Sequence, residues 1–132
     1  MSDMTSVARR VIFRGHDGEK WIEGSLVQDG EVCCILADGV AHQVAPASVG
    51  QWTGEVDHNG VMIFEGDLVR ISLPWTATSL PMELGVHKVA FFGGAFCMVC
   101  KGRMTPIGGY APRTVFEVVG RGYEREVQHE AD

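Results

Sequence analysis

Long apolar runs are missing from this chain of 132 residues. None approaches the ~20 residues that span a bilayer, so no membrane partner is expected. Helical periodicity is missing as well. No stretch carries a convincing 3.6-residue apolar repeat, which points to low helix content. Cations are scarce, 11 against 17 acidic residues, for a net charge of −6. Such a chain repels duplex nucleic acid unless its cations cluster. Arg9, Arg10 and Arg14 form the one close group and read as a solvated strand edge. Residues 1–6 are polar, with no apolar region behind a basic one. No signal peptide is expected, and a cytoplasmic location follows.

Cysteine is limited to Cys33, Cys34, Cys97 and Cys100, too sparse for a secreted disulfide scaffold. Cys97 and Cys100 have CxxC spacing, but a zinc ribbon needs a second spaced pair. Cys33 and Cys34 are adjacent, so on a strand their side chains point to opposite faces. All four read as buried structural thiols, and no cofactor is expected. There is no GxGxxG opening a helix, no GxxxxGK[ST] and no GxSxG elbow. An EF-hand counted from Asp57 fails, because its sixth and twelfth positions hold Met62 and Leu68. Nothing in these motifs makes the chain an enzyme.

What is present is glycine, 17 residues spaced between short apolar runs. That pattern predicts a mainly β protein of short antiparallel strands and tight turns. Strands are expected at 11–14, 20–28, 31–36, 41–44, 62–64, 68–73, 85–92, 95–101 and 114–120. Asp29-Gly30, Asp38-Gly39 and Gly93-Gly94 are two-residue hairpin signals. Pro46-Ala47-Ser48 suits one helical turn, since proline fits a first helical position. One segment echoes another at a constant offset of 42: His16 to Val27 over His58 to Val69, with His, Gly, Glu, Gly, Leu and Val repeated. Each copy reads as a turn, a short strand, a Glu-Gly break and a second strand. The expected organisation is a flexible lead at 1–10, one β domain at 11–124 made of two similar units (about 11–45 and 46–124), and an acidic tail at 125–132.

Two segments depart from this rhythm. Residues 72–84 carry Pro74, Trp75, Pro81 and Met82, and residues 102–112 carry three glycines, two prolines and Tyr110. Both read as surface loops. Trp75, Pro81, Met82 and Tyr110 are candidate contact residues, or else Trp75 and Tyr110 cover the end of a small barrel. Unpaired strand edges and these loops suggest a homo-oligomer, with a host or phage protein as an alternative partner. A second reading is nucleic-acid binding, through Trp21, Trp52, Trp75, Phe91, Phe92 and Tyr110 beside Lys20, Arg70, Lys88, Lys101, Arg103 and Arg113. A third is a metal-dependent hydrolase using His16, His58, Glu23 and Glu65.

Three stretches carry a resemblance. They are Val11-Ile12-Phe13-Arg14 with Lys20-Trp21-Ile22 and Gly24; Trp52, Gly54, Asp57, Gly60, Glu65, Gly66 and Asp67 with Leu68-Val69; and Phe116-Glu117-Val118-Val119-Gly120 with Tyr123-Glu124. In this order they resemble the YopX family of small phage and prophage proteins, over residues 11–124. Trp52 and Phe64 stand where tyrosine is expected. The resemblance implies small intertwined antiparallel sheets, an SH3-like barrel in the second half, and expression of a phage or prophage gene inside a bacterium. It implies no catalytic residue. The motif glycines permit turns, and Asp57 and Asp67 suit acceptance of neighbouring backbone N–H groups.

Overall fold

The computed structural model describes residues 10–74 and 80–123. Among these, eleven strands and two short 3-10 turns make up the fold. The strands form two antiparallel sheets, and the described residues fall into two compact units divided between Gly54 and Glu55. No described helix is long and apolar enough to cross a membrane. Trp75, the expected lead but for Arg10, and the expected acidic tail lie outside the described residues.

In the first unit the order is β4-β3-β2-β1-β5: β1 Phe13–His16, β2 Trp21–Asp29, β3 Val32–Ala37, β4 Val40–Val44 and β5 Gly50–Val56. Ile22, Cys33, Ile35 and Val44 form its core, on alternating positions of three strands. The hairpins follow turn chemistry. Asp38 and Gly39 both have positive φ, 52° and 78°, as a type I′ loop requires. The β2–β3 loop is Gly30-Glu31, one residue later than expected, because Asp29 still pairs with Val32. Only the first central residue, Gly30, has positive φ there. The 3-10 turn Pro46–Ser48 forms where expected. Its buried Ser48 accepts the His16 N–H at 2.8 Å and donates to the Ala45 carbonyl at 2.6 Å, tying the turn to β1.

Arg14 corrects the solvated-edge reading. It is buried, with its guanidinium 4.5 Å from the Trp21 ring centroid. The aromatic face substitutes for water around the cation. β5 is not among the expected strands, where Gly54 reads as a turn glycine. Gly54 takes φ of 92° inside the strand instead.

β5 runs past the unit boundary and turns back as β6 (Met62–Phe64). The second sheet has the order β10-β9-β8-β7-β11: β7 Asp67–Leu73, β8 Met82–Phe92, β9 Ala95–Cys100, β10 Arg103–Pro106 and β11 Val115–Arg121. Val69, Ile71, Val89 and Met98 of this sheet, with Ile63 of β6, are the fully buried core of the second unit. Each such side chain contributes roughly 1.5–3 kcal/mol by leaving water. The SH3-like barrel implied for this half is not closed, since β10 and β11 remain the two edges of an open sheet. Two loop expectations also shorten. Leu73 pairs with Met82, so β7 and β8 take up both ends of 72–84. Residues 102–112 hold a strand and a 3-10 turn, because Lys101 and Gly102 adopt φ of 51° and 79° and reverse the chain into β10. A lysine in the left-handed region carries no turn signal, so this hairpin was hidden.

Candidate functional site

The motif residues 52–67 resolve into backbone fasteners. Asp57, 5% exposed, follows β5 and uses both carboxylate oxygens. Its Oδ1 accepts the Asn59 and Val61 N–H groups, each at 2.8 Å. Its Oδ2 accepts the Val118 N–H at 2.9 Å. The His58 N–H donates to the Phe116 carbonyl at 3.0 Å beside it, so the loop is held to β11 at two points. Burial pushes the Asp57 carboxyl up, but three backbone donors outweigh it and the net shift is downward.

Asp67, 1% exposed, opens β7 and accepts the Phe64 N–H at 2.8 Å on Oδ2. This closes the Glu65-Gly66 turn between β6 and β7. Gly66 has φ of 96°, its N–H donates to Val89 at 2.8 Å, and its carbonyl accepts from Gly122 at 3.0 Å. Gly54 and Gly60 are exposed and also have positive φ. Trp52 is half-buried in β5, and its backbone N–H donates to Ile12 at 2.8 Å.

The two echoed copies are not equivalent in three dimensions. Asp17 anchors the first loop, accepting the Glu19 and Lys20 N–H groups at 2.8 and 2.9 Å. Asp57 anchors the second, two positions out of the 42-residue register. His16 therefore precedes its anchor and His58 follows its own. Glu23-Gly24 lies inside the unbroken β2, whereas Glu65-Gly66 is a true break. The histidines have local partners. His16 Nδ1 accepts the Gly18 N–H at 3.1 Å, and His58 Nε2 lies 3.2 Å from the Asn59 amide. Among the described residues, no three His, Cys, Asp or Glu side chains gather as a metal-ligand set. Cys97 is buried and Cys100 half-buried, three positions apart on β9 and hence on opposite faces.

The structure brings the two unusual segments together. Leu73, Pro74, Leu80 and Met82 line one side of an apolar groove of about 400 Å³, and Ala111, Pro112 and Arg113 line the other. Leu80 is 79% exposed and Met82 is 55% exposed. Pro81 is exposed between them but does not line the groove. Tyr110 has a different role. It packs edge-on against Phe116, 5.4 Å between centroids, and covers the second core beside Ile107. Leu80, Ala111 and Pro112 lie in the two segments read as loops, but their proximity depends on pairings across β7, β8 and β11, which no local pattern records.

The cations proposed for a nucleic-acid face are unequal. Arg70 is already engaged, 3.3 Å from Glu117 and 3.8 Å from Glu83. Phe91 and Phe92 are exposed at the β8–β9 tip, with Phe91 edge-on to Phe96 at 5.0 Å. No curated protein and no solved structure matches the chain. The family model described as "YopX protein" matches residues 13–126, which include every fastener described above. The match spans most of the 132 residues, and the chain belongs to the YopX protein family.

Proposed function

We propose that this YopX-family chain is a phage- or prophage-encoded, non-enzymatic assembly module of the host cytoplasm, and that it associates with a second copy of itself through the apolar groove. The observation that carries this reading is the pairing of a projecting side chain with a groove on one surface. Leu80 stands almost fully exposed next to an apolar hollow of about 400 Å³. A twofold axis lets the projection of each copy fill the hollow of the other, which is how isologous dimers close. Solvent-exposed Leu and Met side chains lose hydration on such contact, and Met adapts its shape to a partner. The motif aspartates support the same view. Asp57 spends both carboxylate oxygens and Asp67 its Oδ2 on backbone N–H groups, which holds a scaffold and leaves the loops to make contacts.

The test is sedimentation velocity over a range of concentrations, on the wild type and on the Leu80→Asp/Met82→Asp double variant. Self-association of the 14.4 kDa chain is expected, with reduction to monomer in the variant and unchanged thermal unfolding. A monomeric wild type, or a variant that associates equally well, contradicts the proposal. A stable complex with a host or phage protein at this surface would replace the second copy as occupant.

A further inference from the structure

A second hollow, of about 650 Å³, lies at the end of the second sheet and is chemically unlike the first. Its charged lining is entirely cationic: Lys101 and Arg103, with His87 beside them. The register explains why these residues meet. Val89 pairs with Met98, and Met98 with Thr105, forming the core row across β8, β9 and β10. Moving two residues along each strand keeps the same face. That step reaches His87, Cys100 and Arg103, one row beyond the core, with Arg103 paired directly to Cys100. Lys101 is the first residue of the adjoining hairpin turn and is held at φ of 51°.

Neither Lys101 nor Arg103 has an acidic partner among the described residues, in contrast to Arg70 with its two glutamates. His87 Nδ1 lies 3.3 Å from the Gly85 carbonyl. A carbonyl only accepts, so Nδ1 carries the proton and Nε2 is the remaining polar atom of the ring. The rest of the lining is mainly apolar, including Leu84, Met104 and the ring of Tyr110.

We propose that this cleft binds a compact phosphate-bearing organic molecule of nucleoside-monophosphate size. Its phosphate is held by Lys101 and Arg103, and its body lies against Leu84, Met104 and Tyr110. Arg and Lys are the residue types that recognise phosphate, by forked and point-charge contacts respectively. The volume exceeds what a bare phosphate fills and lies in the range of small-molecule sites. Burial pushes the Tyr110 hydroxyl up from its ordinary value, against a lowering hydrogen bond with Thr105, so it stays a neutral donor at the wall of the cleft. The net charge of −6 selects the small ligand over a strand. A long polyanion meets repulsion from the whole molecule, whereas one phosphate meets chiefly the local cations.

The test is an amide NMR titration of the full chain with adenosine monophosphate, adenosine and a single-stranded oligodeoxyadenylate. Saturable shifts are expected at His87 and from Cys100 to Thr105 with the monophosphate, and roughly a hundredfold weaker binding of adenosine, which loses both charged contacts. Lys101→Asn and Arg103→Gln, each removing one of the two, should each weaken the monophosphate by roughly tenfold. Asparagine suits the left-handed turn, so Lys101→Asn removes the charge without disturbing the hairpin. No saturable shift, equal binding of adenosine and its monophosphate, or variants that bind like the wild type overturn the proposal. Tighter binding of the oligonucleotide than of the monophosphate overturns the small-ligand assignment in favour of a strand.

Discussion

Asp57 Oδ2 accepts the Val118 N–H at 2.9 Å across 61 positions of chain. Its other oxygen closes the Asp57–Val61 loop, so one buried carboxylate fixes both a local turn and the approach of β11. Removing it leaves three backbone donors short of an acceptor. Asp57→Ala should cost about 3 kcal/mol of stability, and Asp57→Asn about half of that, because the amide oxygen replaces only part of the acceptor set. Urea denaturation followed by tryptophan fluorescence checks both.

The same group makes stability depend on acid. The folded carboxyl lies below its ordinary value of 3.8. Its contribution is therefore fully present above that value and is lost as pH falls through the folded value. The wild type should lose stability faster than Asp57→Asn as pH drops below about 4. Parallel acid titrations of the two proteins would contradict this. Asp17 shifts in the same direction through its Lys20 and Glu19 N–H bonds, but it stands in water and adds little.

Gly24 and Gly66 occupy matching places in the echoed segments and should fail for different reasons. A Cβ on Gly24 would overlap the Leu36 carbonyl oxygen of the neighbouring strand. Gly24→Ala should cost about 3 kcal/mol or more. Gly66 is restricted by its φ of 96°, and Gly66→Ala should cost about 1–2 kcal/mol. Thermal unfolding of the two variants should show the larger loss for Gly24→Ala.

Lys101 is a non-glycine residue at φ of 51° in the β9–β10 turn. Lys101→Gly should leave the hairpin intact and raise stability by about 1 kcal/mol, since the left-handed penalty disappears. A fall in melting temperature would contradict the strain argument.

The parts of the fold that local chemistry dictates were readable in advance. The Asp38-Gly39 and Gly93-Gly94 hairpins and the 46–48 turn sit where residue types alone place them. β5 was obscured by Gly54, and β10 by a lysine in a turn position that favours Asn or Gly. The burial of Arg14 depends on the Trp21 ring, and the Asp57–Val118 bond joins distant strands. Neither leaves a local pattern. The same limit applies to the contact surface. The loops carrying Met82 and Tyr110 stood out by composition, but their roles separate only after folding, with Met82 on the open groove and Tyr110 over the core.

Self-association through the groove is tested most directly by hydrogen–deuterium exchange of the wild type at low and high protein concentration. The account predicts added protection at high concentration in Leu80, Met82, Ala111 and Arg113, with the edge strands β4 and β10 unchanged. Protection that is independent of concentration, or that grows only along a strand edge, would contradict it.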